Sequence, residues 1–298
     1  MKRPPTSRWR VSLWNGALLS GEGRDAGMQI ALNRVRDELD GASAVVGGIN
    51  VNLPSMSAAV AQAISRAECG QGFLLFTLNL DDLVKLRSSE AYAEIYRRAD
   101  LVTADGWPIA WFARRQGVRL EQTCGSDVVE PLCGAAAARR LGVYFIGPGP
   151  RAQVGAIGKI RALHPGFQLS GAEAPLLPTG LDPSILAAID LEALAGRINA
   201  SGARLCFIAL GNPKQSFLAD ALTSRCPKVG FICVGAALDF LSGEMPRAPL
   251  WMRRNGLEWF WRFVHEPRRF FRRYFQCGLV FIELFFKIVV LRTPAARL

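Results

Sequence analysis

The chain has 298 residues, half of them apolar and a fifth charged, a length and composition that bury a large core and exclude a disordered or low-complexity protein. Its formal net charge of +11 sits at the ends: residues 251–298 contribute +7, residues 1–27 contribute +3, and the stretch between them only +1. An almost neutral body argues against nucleic-acid binding and points the basic C-terminal segment toward an acidic partner, either anionic lipid or a phosphorylated ligand.

Residues 1–27 begin basic but hold no apolar run long enough for a signal peptide, and their Gly, Pro and Ser content predicts a mobile leader. Met28 is a candidate internal start. From 43 to 240, short apolar runs alternate with amphipathic stretches, the pattern of β-α units on a parallel sheet. FLLFTLN (73–79) reads as a buried strand and DDLVKLRSSEAYAEIYRRA as the helix after it. DLVTAD is the next strand, followed by Gly106 and a helix with Pro108 in its first turn. A second set runs through strand VYFIGPG, a helix to about Leu163, a strand near FQLSG and a helix through LEALAGRINAS. It closes with strand RLCFIALG, helix KQSFLADALTSR and strand VGFICVGAALDF.

The expected fold is therefore α/β: a Rossmann-like parallel-sheet domain made of two βα halves over residues 28–245, with a C-terminal helical, membrane-associating appendage over 246–298. Within the appendage, CGLVFIELFFKIVVL (277–291) is broken by Glu283 and Lys287, too short and too charged for a span but suited to the membrane interface. Seven cysteines without a C-x-x-C pair, and His164 and His265 as the only histidines, predict reduced and mostly buried thiols in the cytoplasm and no zinc site.

Polar residues gather at the predicted strand ends, where ligands bind in such sheets: Thr77 and Asn79, Asp105–Gly106, the turn LGNPKQS with Gly211, Lys214 and Gln215, and Asp239. Asp105 has two readings, a cap for the helix that follows or a general base on an attacking hydroxyl. Thr77 and Asn79 suit hydrogen bonds to a polyol. Lys214 and Gln215 open a helix, where backbone N–H groups and the dipole favour an anion. GPGPRA (147–152) fits the dinucleotide pattern loosely through Gly147 and Gly149, but Pro148 and Pro150 remove two backbone donors and Glu173 is a poor ribose ligand. It keeps a NAD-dependent oxidoreductase as an alternative. A further alternative, without catalysis, is a module that docks on membrane or RNA through its basic tail.

The stretch RAPLWMRRNGLEWFWRFVHEPRRFFRRYF (247–275) packs arginines and aromatics densely, with aromatics at mostly helical spacing interrupted by Pro267. Arg262, Arg269 and Arg272 roughly share a face if the helix continues past the proline, and arginine suits bidentate phosphate recognition. No D-x-D carboxylate pair is present, so arginine becomes the natural electrophile and neither metal nor cofactor is expected.

TLN (77–79), RADLVTADG (98–106), GSD (125–127), LGNPKQ (210–215), VGAALDFLSGEMPRAP (234–249) and WMRRNGLEWFWRFVHEPRRFFRRY (251–274) together resemble the WecG/TagA/CpsF family, glycosyltransferase family 26, over about residues 45–275. The resemblance implies an inverting, metal-independent transfer of a sugar from a UDP-sugar to a polyprenyl-diphosphate-linked sugar. The reaction would belong to exopolysaccharide or related surface-glycan assembly on the cytoplasmic face of the plasma membrane, by a peripheral enzyme. UDP-glucose or UDP-N-acetylmannosamine are the donors it suggests. By similarity Asp105 is the base, and Thr77, Asn79 and Gln215 line the acceptor pocket. Asp239 sits by the nucleotide with Gly211 and Lys214, and Arg262, Arg269 and Arg272 meet the diphosphate. Two departures, Gln122 where the family commonly has Arg and Ser216 where it has Glu, point to a different acceptor or donor sugar.

Overall fold

The computed structural model of the chain describes residues 43–291; the predicted leader, 1–27, and residues 292–298 lie outside the described residues. A small antiparallel pair, β1 (Ala44–Val46) and β2 (Ile49–Val51), leads into α1 (Met56–Glu68), which starts where the Ser55 hydroxyl accepts a hydrogen bond from the Ala58 amide at 3.2 Å. β3 (Phe73–Leu78) is buried at all six positions, as its unbroken apolar run predicts. One helix is expected after it; two form, α2 (Leu80–Ser88) and α3 (Glu90–Arg97). The break is Ser89, which is extended (φ −146°, ψ 109°) and caps α3 by accepting from the Tyr92 amide at 3.2 Å.

β4 (Leu101–Ala104), α4 (Trp107–Arg115) and α5 (Gly125–Ala138) follow, then β5 (Gly142–Ile146), α6 (Pro150–Leu163) and β6 (Gln168–Glu173). A 3₁₀ turn (Pro183–Ala188), α7 (Leu191–Ala200), β7 (Leu205–Ile208), α8 (Lys214–Thr223) and β8 (Gly230–Cys233) complete the sheet. The last strand is shorter than VGFICVGAALDF suggests. Gly235, at φ +58°, turns the chain into α9 (Ala237–Ser242), so Asp239 lies in a helical first turn and not at a strand end. The C-terminal segment is three helices, α10 (Leu250–Arg254), α11 (Glu258–His265) and α12 (Pro267–Phe285), closing in a π-helical turn at Phe286–Val290. Among the described residues no helix is long and apolar enough to cross a membrane.

All six strands of the main sheet are parallel, in the order β4-β3-β8-β7-β5-β6. The first βα half supplies β4 and β3, the second supplies the other four, and the halves meet where Phe73 lies beside Gly230 and Leu75 beside Ile232. Helices cover both faces, giving two apolar cores. Leu83, Tyr92, Ile198 and Phe217 pack one face, and Ala59, Val129, Ile160 and Leu238 the other. Val280, Leu284 and Ile288 of the C-terminal segment are buried in the first core, so the rear of α12 is seated on the body by apolar contact. The carboxyl ends of β3, β4, β7 and β8 consequently form one rim, with α11 and α12 lying over it.

Candidate active site

Between the rim and the overlying helices is a cavity of about 850 Å³. The structure brings seven of the sequence-predicted residues to its walls: Thr77, Asn79, Asp105, Gly211, Gln215, Arg262 and Arg269. The other three lie outside it. Lys214 turns its amino group to the Leu177 carbonyl at 3.2 Å, Asp239 sits in α9, and Arg272 is exposed on the outer side of α12.

Asp105 follows β4 directly, its amide held by the Leu78 carbonyl at 2.8 Å. Gly106, at φ +94°, a conformation few other residues adopt, turns the chain so that α4 starts at once. No side chain caps α4, so the Asp105 carboxylate is not used as its cap and stays directed at the cavity. Burial pushes this carboxyl up from its ordinary range. Hydrogen bonds from the Cys124 thiol and the Asn79 amide and the charge of Arg262 pull it down, and Glu258 adds to the rise. A half-buried carboxylate raised in this way is suited to proton abstraction.

Asn79 has a second role that the sequence reading does not assign it, as a helix cap. Its side-chain oxygen accepts from the Asp81 and Asp82 amides at 2.9 and 3.1 Å, while the Asp82 carboxylate accepts from the Asn79 amide at 3.1 Å, closing a reciprocal cap on α2. Asp82 is wholly buried, and burial pushes its carboxyl up to about 6. It also accepts from the Tyr92 hydroxyl at 3.1 Å and from the Asn212 amide at 2.6 Å. Asn212 in turn accepts from Gln215 at 2.8 Å, and Gln215 accepts from the Gly235 backbone at 2.9 Å. One chain of hydrogen bonds thus ties together the residues after β3, β7 and β8, and fixes Gln215 in the wall.

The opposite wall is cationic. Arg262 pairs with Glu258 at 2.8 Å and lies over the Phe240 ring at 5.0 Å. Arg269 pairs with Glu266 at 2.7 Å, and Arg273 pairs with Asp81 at 3.0 Å. Arg273 is a wall residue that the sequence reading does not select; it sits where Arg272 was expected. Its signal was in the apolar spacing: Phe270, Tyr274, Cys277 and Phe281 line the cavity at helical intervals, and Arg273 shares their face. A second ionic chain anchors this wall. Asp127, in the first turn of α5, takes Arg247 at 2.8 Å and Arg253 at 2.6 Å, and Arg247 reaches Glu258 at 3.6 Å. Cys124 and Asp82 carry no recognisable pattern in the sequence, and Asn212 and Glu258, although inside the LGNPKQ and WMRRNGLEWFW stretches, receive no role from the sequence reading.

One raised carboxylate lines the same cavity as three guanidinium groups, of which Arg262 acts on it directly by charge, an arrangement fit to take a proton from a hydroxyl while holding a departing polyanion. Among the described residues no group of three or more His, Cys, Asp or Glu converges as a cation site. The turn at Gly147–Gly149, where the nicotinamide alternative would bind, lies outside the cavity. A model of the glycosyl transferase WecG/TagA/CpsF family matches residues 44–294. The chain belongs to that family and is a glycosyltransferase of glycan biosynthesis.

Proposed function

We propose that this family member catalyses an inverting transfer of a hexose or N-acetylhexosamine from a UDP-sugar to a polyprenyl-diphosphate-linked sugar. Ionised Asp105 takes the proton of the acceptor hydroxyl as its oxygen bonds to the anomeric carbon of the donor. The bond from that carbon to the UDP oxygen breaks on the opposite face, and the electron pair leaves with UDP. Arg262, Arg269 and Arg273 hold the charge that develops on the diphosphate, exchanging their carboxylate partners for phosphate oxygens. Thr77, Asn79 and Gln215 orient the acceptor sugar, and the Gly211 turn borders the donor.

The same helix supports peripheral attachment to the cytoplasmic leaflet. Phe271, Phe275, Leu279, Ile282, Phe286 and Val290 are each more than half exposed and recur every three or four residues. They make a continuous apolar stripe, with exposed Arg268 and Arg272 at its start to meet anionic lipid.

The observation that carries the reading is the Asp105 carboxylate, free of any cap duty and lining a cavity that three arginines also line. Asp105→Asn is expected to lower transfer by about 10²–10⁴-fold while UDP binding, measured by calorimetry, stays near wild type. Full transfer by this variant sinks the proposal.

A further inference from the structure

A second depression, of about 1150 Å³, opens beside the cavity, and Trp107 and Gln122 line both. Its walls include Trp111, Arg114 and Arg119. Trp107 is 40 % exposed and is seated from behind by the C-terminal segment. Its ring lies 5.6 Å from that of Phe281, and a Cβ at Gly256, whose φ is +69°, would stand 2.6 Å from it. Trp111 stacks on Phe285 with centroids 6.1 Å apart and planes 7° from parallel. The depression therefore runs from the rim of the cavity to the helix that bears the exposed apolar stripe.

Its arginines differ from those of the cavity. Each cavity arginine has a carboxylate partner within 3.0 Å. Arg114 and Arg119 are exposed, and neither has an ion pair or hydrogen bond within the described residues. Glu121 is the one carboxylate on these walls, so the depression keeps a net positive charge. Unpaired guanidinium groups between the polar cavity and an apolar helix face suit a ligand with three consecutive parts: sugar, diphosphate and lipid.

We propose that this groove is the subsite for the diphosphate of the lipid-linked acceptor. Arg114 and Arg119 hold its phosphate oxygens, Trp107 and Gln122 border the sugar on its way to Asp105, and the lipid leaves past Trp111 toward the α12 stripe. The inference rests on the reading of Asp105 as the transfer site, and adds to it where the acceptor lies.

The test compares wild type with R114A/R119A on one acceptor sugar carried either by a short-chain prenyl diphosphate or by a neutral alkyl group. Assays run without vesicles, with phosphatidylcholine vesicles and with phosphatidylglycerol vesicles. Calorimetric binding of the short-chain prenyl diphosphate sugar supplies a readout independent of turnover. The expected result, in all three conditions, is a rise of about tenfold or more in KM and Kd for the diphosphate acceptor, equal to about 1.4 kcal/mol. The donor KM stays within about twofold, and the preference for the diphosphate acceptor over the neutral one collapses. Unchanged KM and Kd overturn the proposal. An effect confined to phosphatidylglycerol vesicles also overturns it, because it assigns the two arginines to lipid headgroups. Loss of acceptor binding in R114A/R119A beside an active D105N enzyme upholds the groove and sinks the catalytic reading, so the two failures are told apart.

Discussion

The two walls of the cavity are built on different physics. The sheet wall stands on β3, buried at every position, and on a hydrogen-bond chain through Asp82, Asn212 and Gln215. The helical wall stands on α11, which has no buried residue, and on ion pairs whose members keep partial contact with water. Exposed or half-exposed pairs of this kind contribute only about 0–1 kcal/mol each. A buried hydrogen-bonded carboxylate that loses its partners costs several times more. The proposed base and acceptor-orienting groups are thus fixed when the chain folds, whereas the proposed anion-holding groups can exchange partners if a diphosphate arrives.

The comparison can be broken first at the helical wall. Arg262→Ala, Arg269→Ala and Arg273→Ala are each expected to reduce transfer by about 10²–10³-fold in steady-state assays, with melting temperature nearly unchanged. Arg272→Ala is expected to leave turnover within about threefold and to weaken partition onto phosphatidylglycerol vesicles. A collapse of turnover in R272A, with R273A active, would reverse the assignment of the two neighbours.

The sheet wall is expected to answer in stability. Asp82→Ala strands the Tyr92 hydroxyl and the Asn212 amide and should cost about 3 kcal/mol in urea unfolding at neutral pH. The wild-type protein carries a pH signature from the same group. Its folded pKa of about 6 lies above its ordinary 3.8, so the fold binds the proton more tightly than the unfolded chain. Its contribution is full below about 4 and is lost as pH rises through 6, and Asp82→Asn should remove that slope.

The smallest expected effect joins the walls at the proposed base, Asp105. The Cys124 thiol lowers the Asp105 pKa by hydrogen bonding. Cys124→Ala should therefore move the acidic limb of the pH–rate profile upward, and Cys124→Ser should restore it. An unmoved limb in the alanine variant would remove Cys124 from the account.

Much of this was legible in the sequence because buried parallel strands announce themselves as apolar runs with polar residues at their ends. Thr77, Asn79, Asp105 and Gln215 were all placed that way, and all line the cavity. Residues whose position depends on helix phase were harder. Pro267 begins α12 afresh, so spacing counted from Arg262 across the break selects Arg272, while the phase within α12 brings Arg273 inward. Asp82 looked like one more charge on an amphipathic helix; only the tertiary packing shows it buried beneath three donors. Asp239 was displaced for a local reason, because the turn at Gly235 ends the strand early.

The pairing of the cavity arginines has a consequence for how fast substrate arrives. The lining holds Lys85, Arg262, Arg269 and Arg273 against Asp81, Asp105, Glu258 and Glu266, so the site's own charges nearly cancel. A neutral mouth exerts little pull on a distant nucleotide, and its capture rate should vary only weakly with ionic strength. Attraction switches on at close range, once a phosphate oxygen takes the place of an internal carboxylate. Ions in bulk solution are then poor competitors, because the groups being displaced are tethered to the protein.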